Sequence, residues 1–114
     1  MPYINAKVSC KLTAEKETEL KAALGRAICS IPGKSEAYLM VSIEAEQKIW
    51  LAGENDRPMA FLDVRILGHA KAEDYSRMTG VLCKDMEQIL GIAPADVYVT
   101  YFETDNWGWN GKNF

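Results

Sequence analysis

Hydrophobic and polar residues follow one of two periods along most of the chain, and their order predicts its elements. Ile4, Ala6 and Val8 alternate with Tyr3, Asn5 and Lys7, and Leu39, Val41 and Ile43 with Tyr38, Met40, Ser42 and Glu44. Further on, Leu62, Val64 and Ile66 alternate with Phe61, Asp63, Arg65 and Leu67, and Val97, Val99 and Tyr101 with Tyr98, Thr100 and Phe102. A period of two belongs to a strand with one covered face, so four strands are predicted. Between the first two, Leu20, Leu24, Ala27, Ile28 and Ile31 follow helical spacing. Thr13 is the predicted N-cap, Glu15 and Glu17 suit the positive end of the helix dipole, and Pro32-Gly33 stops the run. Between the last two strands, Tyr75, Met78, Leu82, Met86 and Ile89 form a second apolar stripe, closed by Gly91.

The strand-helix-strand unit therefore occurs twice, joined near Ala52 to Pro58. A helix between strands of this length predicts a right-handed crossover with parallel pairing inside each unit. The expected fold is α/β (α+β): two β-α-β pseudo-repeats forming a four-stranded sheet, with both helices on its apolar face. With 114 residues the chain supports a single domain, residues 1–114, and one core. The other sheet face carries Asn5, Lys7, Asp63 and Arg65 beside Tyr3, Tyr38, Phe61, Leu67, Tyr98 and Phe102. That face is too apolar for water and too charged for a dry core, and self-association around a wet interior resolves the conflict. Lys48-Ile49-Trp50-Leu51 and Asn106-Trp107-Gly108-Trp109 are expected to cap sheet edges, including those of a neighbouring subunit.

Composition narrows the function classes. Hydrophobic residues make up 48% and charged residues 25%, as in folded soluble proteins. A net charge of -3 with scattered Lys and Arg argues against nucleic acid. No stretch approaches the roughly 20 apolar residues of a membrane span. Lys7 and Lys11 interrupt any signal-peptide core, so the expected location is the cytoplasm, with leaderless secretion left open. Cys10, Cys29 and Cys83 are odd in number and form no Cys-x-x-Cys pair. Cys29 and Cys83, lying in apolar helical patterns, read as small hydrophobes. His69, the only histidine, reads as a loop or helix-entry residue, and no metal site is expected.

Several short pieces recur in a telling order: Met1-Pro2, Gly33-Lys34 with Tyr38 following, Ile66-Leu67-Gly68, Pro94 to Tyr98, and Trp107-Gly108-Trp109-Asn110 before Phe114. From Pro2 to Phe114 the chain resembles the macrophage migration inhibitory factor (MIF) family of the tautomerase superfamily. The resemblance implies a homotrimer with active sites at subunit interfaces. It also implies cofactor-independent keto-enol tautomerisation of phenylpyruvate-like aromatic 2-keto acids, and of dopachrome. Pro2, its nitrogen freed by removal of Met1, is the implied general base. An ordinary α-amino group titrates near ~8, and apolar burial with a nearby cation favours the neutral, basic form. Lys34 is implied as the electrophilic partner that holds the substrate's carboxylate or oxyanion.

In the same resemblance Leu67 offers its backbone N–H, and Tyr98 reaches in from the adjacent subunit. Thr100 stands where relatives often carry Asn, and Tyr38, Trp107 and Phe114 form aromatic walls around the substrate ring. Trp109 and Phe102 are expected to be structural. Two other functions stay open: a secreted signalling protein acting through its surface, and a binding protein whose chemistry has changed. Met59 and Leu62 occupy the positions of the mammalian cytokine's Cys-x-x-Cys pair, so thiol oxidoreductase activity is not implied. Receptor binding finds no matching charge pattern around Lys11 and Leu12.

Overall fold

The computed structural model describes residues 1–114. In chain order these are β1 (Pro2–Val8), α1 (Ala14–Ala27), β2 (Met40–Glu44), β3 (Ala60–Leu67), α2 (Ala72–Leu90) and β4 (Val97–Thr104). A terminal hairpin of β5 (Gly108–Trp109) and β6 (Lys112–Asn113) follows. The sheet order is β2-β1-β3-β4, parallel within each strand-helix-strand unit and antiparallel where β1 meets β3. The two units are thus related by an approximate two-fold through the central strands.

The apolar parity of the strands decides which face the helices cover. Ile4, Leu62 and Ile66 on the sheet are fully buried against Leu24 of α1 and Met78 and Leu82 of α2. Each such side chain contributes about 1.5–3 kcal/mol relative to exposure. Thr13 caps α1, its Oγ1 accepting from the Lys16 N–H at 3.1 Å. At the start of α2, Asp74 accepts from the Lys71 N–H at 3.1 Å and from Arg77 at 2.7 Å. The Arg77 hydrogen bond, then that of Lys71, holds the Asp74 carboxyl below its usual range. Arg77 also donates to the carbonyl of Ser30 at 2.8 Å, tying α2 to the end of α1. Gly91 closes α2 with φ 68°, a left-handed conformation that glycine adopts without steric cost.

The structure departs from the sequence reading in four places. Tyr38 ends a 3-10 turn, Glu36–Tyr38, rather than starting a strand, because the chain must still climb from Gly33 to the sheet. Lys48 to Leu51 form no edge strand: Leu51 bridges to Glu54 around left-handed Ala52 and Gly53, so the segment turns back on itself. Gly108 and Trp109 likewise pair with Asn113 and Lys112 and not with an edge of the chain's own sheet. Cys29 is exposed, because α1 gives way to the 3-10 turn Ile28–Ser30 and the helical spacing no longer points inward. Cys10 and Cys83 are half-buried, and burial pushes both thiols up.

The uncovered face is ordered in rows. Ser42, Asn5, Asp63 and Thr100 align across the four strands, and Met40, Tyr3, Arg65 and Phe102 form another row. Tyr98 and Phe102 remain 56% and 53% exposed there. No helix is long and apolar enough to cross a membrane.

Gly80 lies exposed within α2, and a Cβ added there would meet nothing within 4 Å. Gly80→Ala is therefore expected to stabilise the protein by about 0.5–1 kcal/mol. Calorimetry would register this as a thermal midpoint raised by a few degrees. Leu82→Ala, which empties a fully buried position, is expected to cost about 2–5 kcal/mol in the same measurement.

Candidate active site

The start of the chain lies inside the sheet. Pro2 is buried and stands opposite Ile66 in the antiparallel β1–β3 register. The pairing continues one residue further, where the Leu67 N–H donates to the Met1 carbonyl at 3.0 Å. The other polar group of Leu67 is also taken: Lys34 Nζ donates to its carbonyl at 2.7 Å. Lys34 comes from the loop after α1, where Gly33, at φ 81°, turns the backbone toward the sheet. Burial first, and then the charge and hydrogen bond of Lys34, lower the pKa of the Met1 amine below its usual value. An amine at this place is pushed toward its neutral, proton-accepting form.

Beside the amine runs an open groove of about 970 Å³. Met1, Pro2 and Tyr3 form its floor, Tyr38 to Met40 one side, and Asn106 to Trp109 the other. Arg65 also reaches it, and no carboxylate lines it. The Arg65 guanidinium bonds Asp63 at 3.2 Å and lies 5.0 Å from the centre of the Phe102 ring. The groove is therefore mostly apolar and aromatic, with two cations, Lys34 and Arg65, close to its amine end.

The residues singled out in the sequence divide into two sets. Pro2, Tyr38 and Trp107 line the groove, and Lys34 and Leu67 meet at its amine end. Phe114 braces the wall from behind: its ring stacks on Trp109, 6.1 Å between centres, and its N–H donates to the Trp107 carbonyl at 3.1 Å. Tyr98 and Thr100 do not reach this groove. They pair with Phe61 and Asp63, ~17 and ~10 Å along the sheet from the Pro2–Ile66 pair at about 3.3 Å per residue. Thr100 Oγ1 and Asp63 Oδ1, neighbours across β3 and β4, are both shielded from solvent without a hydrogen-bond partner.

Tyr3, Met40, Arg65, Asn106 and Trp109 line the groove without having been assigned to it from the sequence. Parity held the signal for three of them, since Met40, Tyr3 and Arg65 share one row of the uncovered face. Trp109 was expected to be structural only, but it both stacks on Phe114 and faces the groove. Asn106 carried no signal, because a turn residue's neighbours depend on where the hairpin folds.

A duplicated strand-helix-strand sheet with two helices on one face is the fold of the tautomerase superfamily. Within it, the chain belongs to the macrophage migration inhibitory factor (MIF) family, whose profile matches residues 1–114. Leishmania major MIF2 is 30% identical with a TM-score of 0.90, over 100% of this chain and 97% of that one. The MIF homologue of Prochlorococcus marinus is 26% identical with a TM-score of 0.78, over 98% of each chain. Pt0534, solved as inactivated by 2-oxo-3-pentynoate, is 21% identical with a TM-score of 0.81, over 96% of this chain and 93% of that one. No curated protein sequence matches the chain.

Because Lys34 is one of the groups that lower the pKa of the terminal amine, Lys34→Met is expected to raise it. The midpoint, followed by NMR titration of the terminal nitrogen, should move up toward ~8. An unchanged midpoint would assign the shift to burial alone.

Proposed function

We propose that this protein is a cofactor-independent keto-enol tautomerase of phenylpyruvate-like aromatic 2-keto acids, with the nitrogen of Pro2 as its general base once Met1 is removed. The observation that carries this reading is the Met1 carbonyl on the Leu67 N–H, 3.0 Å long, beside the Lys34 ammonium. Loss of Met1 does two things at once. It turns the proline amide into a basic secondary amine, and it frees the Leu67 N–H to donate to a ligand.

The chemistry then follows from placement. The Pro2 nitrogen accepts a proton from the carbon next to the ketone, and the electron pair of the broken C–H bond moves to the carbonyl oxygen as the enolate. Lys34 and the Leu67 N–H stabilise the negative charge that develops, which is where fixed donors help most. The protonated proline then returns its proton to oxygen, giving the enol. The reverse sequence gives the ketone. A groove lined by Arg65, with Lys34 near its amine, no lining carboxylate and an aromatic wall, suits an aryl-bearing acid such as phenylpyruvate or dopachrome. The 2-oxo acid that inactivates Pt0534 carries the same functional group.

A homotrimer completes this reading. Tyr98 and Thr100 lie along the sheet from their own groove, and in the trimer the exposed Tyr98 ring is assigned to a neighbour's. The exposed Tyr98 and Phe102 rings become interface.

The test begins with intact mass, to establish that Met1 is absent. Ketonisation of enol-phenylpyruvate is then compared for the wild type and Pro2→Gly, with circular dichroism as the control for folding. A loss of about 100- to 10,000-fold in kcat/KM is expected, the usual contribution of general acid-base catalysis. Full activity in Pro2→Gly, or turnover by protein that retains Met1, overturns the assignment. Sedimentation as a monomer overturns the shared site.

A further inference from the structure

The wall of the groove is a flap bound chiefly to itself. Gly108 pairs with Asn113 and Trp109 with Lys112, Phe114 stacks on Trp109, and the Phe114 N–H returns to the Trp107 carbonyl. Its neck, where it leaves the sheet, is residues 104 to 106. There Gly68 N–H donates to the Thr104 carbonyl at 2.9 Å, and Thr104 Oγ1 accepts from the Asn106 N–H at 3.1 Å. The Thr104 hydroxyl also donates to the Asn106 carbonyl at 3.2 Å, and the side chain of Asp105 makes its one hydrogen bond to His69 Nε2 at 3.1 Å.

His69 is gripped from both sides. Its Nδ1 lies 3.0 Å from Glu103 Oε1, while Nε2 faces Asp105. Glu103 is itself fixed, its other oxygen accepting from the Ala70 N–H and the Tyr75 hydroxyl. Ionised carboxylates only accept, and a neutral imidazole donates from one nitrogen alone. Both contacts are satisfied together only by the imidazolium. The carboxylates sit on opposite sides of the ring, and no common point for a metal arises.

We infer that His69, as the imidazolium, is a positioning residue that clasps Asp105 at the neck of the Asn106–Phe114 flap and so holds the aromatic wall over the groove. His69 is also two residues beyond Leu67, whose carbonyl anchors Lys34, so one ring joins the exits of β3 and β4. The kinetic part of this inference rests on the tautomerase reading; the structural part does not.

The charges around the ring set the pH range. Glu103 and Asp105 face it from β4 and its exit. From α2 come Tyr75, which shares Glu103, and Lys71 and Asp74, which bond each other at the helix start. The hydrogen bonds of Glu103 and then Asp105 raise the His69 pKa above its usual value. The Tyr75 hydrogen bond, followed by those of His69 and Ala70, depresses Glu103 to about 2. A raised histidine pKa means that the clasp is complete below about pH 6.5 and is lost as pH rises through the folded-state value.

His69 is the only histidine, so its C2–H resonance reports the titration without ambiguity. Its midpoint is expected above ~6.5, and Asp105→Asn is expected to lower it. The indole N–H resonances of Trp107 and Trp109 should move with the same midpoint in the wild type and lose that dependence in His69→Gln. Trp50, on the loop after β2, serves as the internal control. At one pH below the transition, KM for phenylpyruvate should be roughly two- to fivefold higher in His69→Gln than in the wild type with kcat unchanged, the size an exposed ion pair supports. A His69 midpoint at or below its usual value overturns the inference, as do flap indoles that ignore it. Because the NMR arm needs no turnover, an inactive protein would count against the tautomerase reading and leave this one to be decided by the resonances.

Discussion

The backbone pairing of Pro2 with Ile66 is the constraint on which the rest of the structure depends. A first strand at a sheet edge would leave the chain's beginning in solvent, where an amine is charged at neutral pH. Here β1 lies inside the sheet, between β2 and β3, and the terminus is carried to the end of the central pair. Burial and Lys34 then act together on the Met1 nitrogen. The register also decides which donor is at hand, since the next residue of β3 beyond Ile66 is Leu67, whose N–H and carbonyl both face this end of the sheet.

The same sheet assigns different tasks to its two faces. Under the helices, alternating apolar residues form a close-packed core, and there the register tolerates no slip, because a shift of one residue would turn every buried side chain outward. The other face is a set of rows in which polar and aromatic side chains lie side by side. Its shielded Asp63 and Thr100 oxygens have no partner within the chain, and unmet buried polar atoms are costly. The exposed Tyr98 and Phe102 rings beside them give this face a physical reason to meet another surface.

The flap completes the groove by a different principle. It has little core of its own, so its position depends on a few directional contacts at the neck and not on area buried. Thr104 supplies a fixed hydrogen bond and His69 a charged one. Exposed ion pairs are individually weak. They adjust where a self-bound hairpin rests; they do not hold the fold together.

Much of this was legible in the residues themselves. The four strands, both helices, the Thr13 cap, the Gly91 stop and parallel pairing within each unit follow from period, caps and crossover length, because burying one face of each element is a local demand. The motif pieces around Pro2, Lys34, Leu67 and Trp107 sufficed to name the family. Only the tertiary structure decided that Tyr38 sits on a turn, that Asn106 to Phe114 fold back as a hairpin, and that Arg65 and Trp109 share the groove. It alone showed Thr100 to be remote from its own Pro2, and His69 to stand between two carboxylates. These facts concern residues far apart in the chain that meet at strand ends and loops, where no period constrains them. Periodicity reports which way a side chain faces; what it meets there is set by register and chain reversal, and those exist only once the whole sheet has formed.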